Sequence, residues 1–249
     1  EADVLLGTLA APEDTSELRM QRVRAALAAG RGEEATHLFV TGLPVLVRER
    51  PSEELMDAIG EIVPDAVLLN GWKAVSANRA DEEFAVRAAW LIAHILQQRG
   101  NHMDAAAVCD DVTDALAAVG PLRFRVLSLQ AESCRAAGNL PRAERIYRDL
   151  IDDHPRNSVL RNNLAYVLTL RNSGEEAKDM ALTALRGNAS DERRAAFLDT
   201  LGLALMRTGE AGEAMEQYEK ALMLSQDPEI RAHYALALRE NAFPRQARE

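Results

Sequence analysis

The sequence has few aromatic residues, only two cysteines and no long apolar run. Aromatic side chains make up 4% of its 249 residues, whereas Ala and Leu, which favour helices, abound. No uninterrupted apolar segment approaches the ~18 residues that a membrane-spanning helix needs. Segments rich in Val, Ile and Thr with alternating polarity are also missing. We therefore expect an all-α chain with almost no sheet and no membrane span.

The charge of the chain argues against nucleic acid as a partner. The formal net charge is −10 and the isoelectric point is about 5.1. Such a chain repels phosphate backbones, and the sequence contains no local basic run that would offset this repulsion. We interpret the acidity as a solvated surface with a weak preference for basic partners.

Neither the cysteines nor the first residue indicates the cellular compartment of the protein. Cys109 and Cys134 lie inside helical patterns at apolar positions, where buried free thiols are expected; a disulfide between neighbouring helices is the alternative. The chain begins at Glu1 rather than Met, so we expect a processed product or a piece of a longer chain. An upstream signal peptide or anchor would then lie outside this sequence.

Small residues recur twelve positions apart. Steps of 12, 16 and 19 residues from Gly202 reach Ala214, Tyr218 and Ala221. The same pattern starts at Ala93, Ala131, Ala165, Gly202 and Ala235, which are separated by 38, 34, 37 and 33 residues. Small side chains are needed where two antiparallel helices approach most closely. The spacing therefore predicts repeated helix pairs in which Gly202 meets Ala214.

Glycines mark the turns between the paired helices. Gly138, Gly174 and Gly209 each precede polar residues, and Gly30 is placed in the same way near the start of the chain. Glycine readily adopts the left-handed conformation that ends a helix. We expect these glycines to end first helices.

A period near 34 with helix–turn–helix units resembles the tetratricopeptide repeat. The segment 124–157, "FRVLSLQAESCRAAGNLPRAERIYRDLIDDHPRN", matches this family well, down to Pro155, which closes its second helix. The resemblance implies an all-α solenoid, a right-handed superhelix of stacked antiparallel helix pairs. The predicted repeats span 86–123, 124–157, 158–194, 195–228 (closed by Pro228) and, in part, 228–249.

Residues 1–85 are less regular, and we interpret them as degenerate helical pairs continuous with the solenoid. Apolar spacing predicts a helix over 52–63, capped by Ser52 and ended by Pro64. A second helix over 66–77 is expected to be broken or bent near Gly71. The leader, residues 1–14, is extended or forms a short helix.

The sequence contains no catalytic, cofactor or metal motif. Its five histidines form no HExxH pair, and it has no CxxC, GxGxxG, GxxxxGK[ST] or GxSxG. We therefore expect no enzyme activity, no cofactor and no metal within these residues.

The resemblance implies a concave groove, lined by the first helix of each pair, that holds a peptide or a helix of a partner protein. The residues expected to line it are those of each first helix that do not pack internally. They are Arg87, Trp90, His94, Gln97, Arg125, Glu132, Arg135, Asn162, Asn163, Tyr166, Thr169, Asp199, Thr200, Arg207 and His233.

The aromatic and amide residues of this set have two interpretations. Trp90 and Tyr166 are either contact aromatics or covers of a helix junction. Asn162 and Asn163 either hold a peptide backbone, as an asparagine at the position of Asn163 does in some relatives, or cap and bridge neighbouring helices.

The charged residues also have two interpretations. Arg125, Arg135 and Arg207 pair either with acidic groups of a ligand or with acidic residues inside the groove, namely Glu132 and Asp199. The basic set with which relatives grip a terminal carboxylate is not reproduced, since Ser128 and Glu132 stand at the corresponding sites. We therefore do not expect a free chain end to be recognised by that mechanism.

Three functional hypotheses follow. The first is a scaffold that binds a peptide or partner protein; Ala- and Arg-rich usage suggests a bacterial source, and bacterial proteins of this kind often serve in assemblies such as envelope or exopolysaccharide export. The second is the repeat arm of a larger enzyme of the glycosyltransferase or sulfotransferase type, with its catalytic domain outside this chain. The third is a homo-oligomer in which the groove of one copy accepts residues 1–14 of another.

Overall fold

A computed structural model of the chain describes residues 16–47, 53–77, 79, 81–117 and 119–242. These residues form thirteen α-helices and one short 3₁₀ helix, and they contain no strand. The chain divides into two compact units, Glu1–Ser133 and Cys134–Glu249. The predicted leader, residues 1–14, and the Ser52 cap lie outside the described residues.

The first unit is built from helices that alternate between two rows. One row contains the first helices of successive pairs, where α1 packs against α3 and α3 against α5; in the other row α2 packs against α4. The helices are α1 Ser16–Ala28, α2 Gly32–Leu46, α3 Glu53–Ile62, α4 Asp65–Ser76, α5 Glu82–Gln98, α6 His102–Asp110, the 3₁₀ helix Thr113–Ala117, and α7 Pro121–Ala136, whose last turn belongs to the second unit.

The second unit repeats the same arrangement. Helices α9 and α10 form one pair and α11 and α12 the next, while α9, α11 and α13 pack in order as a row of first helices. The remaining helices are α8 Leu140–Asp153, α9 Ser158–Leu170, α10 Gly174–Leu185, α11 Asp191–Thr208, α12 Ala211–Leu224 and α13 Pro228–Ala242.

The turns recur with the predicted period. A residue with positive φ follows the first helix of five pairs, at positions 30, 100, 138, 172 and 209, and the last four of these are 38, 34 and 37 residues apart. The residue after each donates its backbone N–H to a carbonyl five positions earlier, as Glu210 does to Leu205 at 2.9 Å. This pairing satisfies carbonyls that the helix end would otherwise leave open.

One predicted turn glycine is wrong. Asn172, with φ 61°, holds the left-handed position after α9, and Gly174 is instead the first residue of α10. A Cβ on Gly174 would lie 3.0 Å from the side chains of Arg207 and Thr208. Gly174 is therefore required for close packing on the neighbouring pair, and asparagine, which tolerates the left-handed region, makes the turn.

Except at Ala235, the described small residues of the repeat are buried, as their spacing predicted. The four starting positions Ala93, Ala131, Ala165 and Gly202 are buried, and so are the residues twelve positions later. The last starting position, Ala235, is exposed, and Ala247 lies outside the described residues.

Gly202 is small for a reason that the spacing did not identify. The atoms nearest to a Cβ placed on Gly202 belong to the ring of Tyr218 and not to Ala214; Cε1 would lie 2.5 Å away. Tyr218 is fully buried in the apolar core of the second unit, with Leu201, Leu205 and Ala214. The glycine therefore makes room for an aromatic ring from α12.

Four further predictions concern helix boundaries and continuity. The helix over 53–62 ends before Pro64 as expected, and α8 ends at Asp153, before Pro155. Helix α4 runs without a break through Gly71, so the predicted break is wrong. The glycine instead makes room for the ring of Phe39, since a Cβ there would lie 3.0 Å from the ring. Pro228 does not close α12; it begins α13, where its missing N–H costs no helical hydrogen bond.

Candidate functional site

In the first unit, Trp90 is held between residues of two first helices. The ring of His94, one turn later on α5, stacks on Trp90 with centroids 5.3 Å apart and planes 16° apart. The guanidinium of Arg125 on α7 lies 3.8 Å from the Trp90 ring centroid, within the range of a cation–π interaction. Trp90 therefore contacts residues of both α5 and α7 and remains partly exposed.

The same cluster keeps His94 neutral near pH 7. Burial lowers the pKa of His94, and the positive charge of Arg125 lowers it further; the Asp57 carboxylate on α3 opposes this only in part. A neutral imidazole can both donate and accept a hydrogen bond. The cluster thus presents one permanent cation, Arg125, and one neutral polar ring.

The other predicted residues of the first unit lie along α5 and α7. Arg87 forms an ion pair with Glu83 one turn earlier on α5, at 2.6 Å. Gln97 follows His94 by about one turn, and Glu132 follows Arg125 by two turns; both are half-buried. The structure therefore brings together Trp90, His94 and Arg125 as the compact part of the predicted set.

In the second unit, an arginine again lies over an aromatic ring on the next first helix. The guanidinium of Arg135, in the last turn of α7, is 5.3 Å from the ring centroid of Tyr166 on α9. Asn163 precedes Tyr166 by three positions, so it lies on the same side of α9, and both are half-buried. The structure therefore brings Arg135, Asn163 and Tyr166 together.

Three predicted lining residues are buried instead. Asn162, Thr169 and Thr200 are 8%, 2% and 4% exposed. The two threonine hydroxyls donate to backbone carbonyls of their own helices, at 2.7 Å and 3.0 Å. These three residues serve the packing of α9 and α11 and are not available on the surface.

Asp199 and His233 join α11 to α13. Nδ1 of His233 donates to Oδ1 of Asp199 at 2.8 Å, so Asp199 is paired with a histidine. Pairing of Asp199 with a groove arginine was one of the two alternatives for the charged residues. The hydrogen bond to Asp199 raises the pKa of His233, although its partial burial works in the opposite direction; the charges of Asp199, Glu229 and Asp227 add to the rise.

The phenol of Tyr218 lies beside this pair. Its ring centroid is 6.2 Å from that of His233. Burial, and after it the charges of Asp199 and Glu240, raise the pKa of the Tyr218 phenol, so it stays protonated. The buried hydroxyl has no hydrogen-bond partner among the described residues.

Sequence reasoning missed the apolar residues on this side of the second unit. Leu170 lies four positions after Tyr166, and Leu236 lies three positions after His233, so each shares the face of its predicted neighbour. Both are 40% exposed. Helical spacing from the predicted residues was the signal that could have identified them.

The described part of the chain shows no metal-binding cluster. No group of three or more His, Cys, Asp or Glu residues within it is placed to hold an ion. Both cysteines are buried and free, as expected of packed thiols. Within the same residues, no helix is long and apolar enough to cross a membrane.

Comparisons with known proteins find similar structures but no similar sequences. No protein-family model matches the sequence, and no curated protein matches it. Among solved structures, the chain is similar to TTC0263, a thermophilic TPR protein of Thermus thermophilus, with a TM-score of 0.51, 19% identity, and coverage of 90% of this chain and 99% of that one.

It is also similar to YrrB, a TPR protein with an unusual peptide-binding site, with a TM-score of 0.54, 12% identity, and coverage of 84% and 95%. The chain has the tetratricopeptide-repeat fold. In a tetratricopeptide-repeat solenoid the first helices of successive pairs share one face, and Arg135, Tyr166, Asp199 and His233 all lie on first helices of the second unit.

Proposed function

We propose that this chain is a non-catalytic scaffold that binds a peptide or a segment of a partner protein on the exposed side of its first helices. The tetratricopeptide-repeat fold supports this proposal, since repeat solenoids provide extended binding surfaces. YrrB, which has the same fold, carries a peptide-binding site.

The observation that carries the proposal is the placement of Arg135 over Tyr166. Arginine and tyrosine are enriched among the residues that dominate protein interfaces. Because each side chain already restricts the other, binding would cost less conformational entropy than ordering two mobile side chains. Asn163, on the same side of α9, supplies an amide that can donate to and accept from a peptide backbone.

Twelve of the fifteen predicted residues remain as proposed binding residues once the three buried ones are removed, six on the first unit and six on the second. They are Arg87, Trp90, His94, Gln97, Arg125, Glu132, Arg135, Asn163, Tyr166, Asp199, Arg207 and His233.

Crosslinking mass spectrometry on lysate of the source cells tests this function. The purified full chain should recover a protein whose crosslinks map to first helices, and recovery should fall for Tyr166→Ala and Asn163→Ala. Leu182→Ala, on the second helix α10, is the matched control and should recover the partner normally. Recovery of no protein, or crosslinks confined to second helices, would contradict the proposal.

The finer hypotheses stay predictions. The identity of the recovered partners tests a role in bacterial envelope or exopolysaccharide export. The full reading frame tests the enzyme-arm alternative, and light scattering across micromolar concentrations tests self-association.

A further inference from the structure

The second unit exposes apolar side chains along its row of first helices. Val159 and Leu170 on α9 and Leu236 on α13 are 37%, 40% and 40% exposed. Val159 precedes Asn163 by four positions, so it lies on the side of α9 that carries Asn163 and Tyr166. We call the side of α9, α11 and α13 that carries Tyr166, Asp199 and His233, together with the last turn of α7, the first-helix face.

Helix α11 continues this apolar strip between the other two helices. Leu203 lies four positions after Asp199, and Met206 lies three positions further, so both share the side of Asp199. Both are half-buried. Because α9, α11 and α13 pack in order, we group these exposed and half-buried apolar side chains as the apolar strip of the first-helix face: Val159, Leu170, Leu203, Met206 and Leu236.

Arginines line one edge of the same face. Arg135, Arg207 and Arg239 each stand in the last turn of a first helix, namely α7, α11 and α13. Arg207 and Arg239 are exposed and form no ion pair with another described residue. The three arginines therefore place positive charge at the carboxyl-terminal ends of the first helices, in a chain whose net charge is −10.

Among the described residues, the nearby carboxylates of α11 and α13 form no ion pair with Arg207 or Arg239. Asp199 is engaged by His233 in the amino-terminal half of α11, away from the last turn. Glu229 lies in the first turn of α13. Glu240, next to Arg239, is half-buried near Tyr218.

We propose that the first-helix face of the second unit binds an acidic amphipathic segment of another protein, with its apolar side chains on the strip and its carboxylates against Arg135, Arg207 and Arg239. This inference rests on the proposed function and adds the chemistry of the partner. Opposite charges along one edge fix the orientation and speed the association, while burial of apolar surface supplies affinity. Apolar groups spaced by three and four residues on a helix would meet a strip of this kind.

Panning a random-peptide display library on the full chain tests the chemistry directly. Enriched clones should combine Leu, Met or aromatic residues with Asp and Glu and should lack Lys and Arg. Their affinity for the chain should fall about tenfold between low and physiological salt, since exposed charge pairs are screened. A panel without acidic enrichment overturns the inference.

Variants of exposed residues show which part of the chain binds the enriched peptides. The double variant Arg207→Gln with Arg239→Gln should lower the affinity for the enriched peptides about tenfold, and so should Leu236→Ser on its own. The matched controls are Arg145→Gln on α8 and Leu182→Ser on α10, since both residues are exposed on second helices. The controls should bind normally, and circular dichroism should show that all variants remain helical.

The outcomes distinguish this inference from the proposed function. Clones that are sensitive to Tyr166→Ala but show no acidic preference would keep the function and overturn the partner chemistry. Clones that are insensitive to every first-helix variant would overturn both. A dimer of the full chain that dissociates in Leu236→Ser would assign the face to a second copy and would also overturn the inference.

Discussion

The aromatic ring of Tyr218 fills the space beside Gly202 that any larger residue would need. A Cβ on Gly202 would lie 2.5 Å from Cε1 and 2.6 Å from Cζ of Tyr218, closer than real Cβ contacts come. The ring arises from α12 and the glycine from α11, so this contact sets how closely the two helices of the pair approach.

Gly202→Ala should therefore destabilise the second unit by about 1–3 kcal/mol, because the fully buried ring has no space to move into. Gly212→Ala on α12 is the matched control. A Cβ there meets nothing within 4 Å, so the loss of backbone freedom in the unfolded chain should make this variant neutral or stabilise it by up to about 1 kcal/mol. Urea unfolding measures both; equal effects would contradict the packing argument.

Tyr218→Phe should leave the stability unchanged or raise it by up to about 1 kcal/mol. The Tyr218 hydroxyl is buried without a partner among the described residues, so its removal relieves an uncompensated desolvation cost. Tyr218→Ala, which removes the ring itself, should cost about 3–5 kcal/mol. Urea unfolding measures both variants, and a large loss in Tyr218→Phe would show that the hydroxyl has a partner.

The pairing of His233 with Asp199 should make the docking of α13 dependent on pH. The folded pKa of His233 is raised above its ordinary value of about 6.5, so the stabilisation is fully present below that value and is lost as the pH rises through the raised pKa. Because both side chains are partly exposed, the effect should not exceed about 1 kcal/mol.

Urea unfolding of the chain and of Asp199→Asn at a series of pH values measures this effect. The difference in the free energy of unfolding between the two proteins should become smaller from slightly acidic to alkaline pH. Asp179→Asn, an exposed carboxylate on α10, is the control and should show no such trend. A difference that grows with pH would contradict the sign.

Arg125→Gln should raise the pKa of His94. The positive charge of Arg125 is the second cause of the lowered pKa, and burial, the first, persists in the variant. The pKa should therefore rise while staying below about 6.5. An NMR titration of the imidazole measures it, and Arg145→Gln is the control; an unchanged His94 pKa in Arg125→Gln would refute the electrostatic contribution.

The turn after α9 offers a conformational test. Asn172→Gly should be neutral or stabilising, because glycine adopts φ 61° without strain, whereas Asn172→Val should cost about 1–2 kcal/mol. Gly174→Ala should also destabilise, since its Cβ would lie 3.0 Å from the side chains of Arg207 and Thr208. Thermal unfolding of the three variants distinguishes the turn residue from the packing residue.

The sequence by itself determined the repeat and much of its local geometry. Helix spacing, the turn residues Gly138 and Gly209, and the burial of residues such as Ala131 and Ala143 all depend on interactions within about one helix pair. Local periodicity and the glycine requirement of a left-handed turn are therefore readable from the chain alone.

Only the tertiary structure decided which side chains meet across helices. It placed Tyr218 rather than Ala214 against Gly202, paired Asp199 with His233 34 positions away, and buried Asn162. The 3.6-residue period fixes which residues share a side of one helix, but the rotation of that helix against its neighbours comes from the shapes packed between them. Whether a residue at the border of a buried side, such as Asn162, is buried or exposed therefore depends on the position of the neighbouring helix.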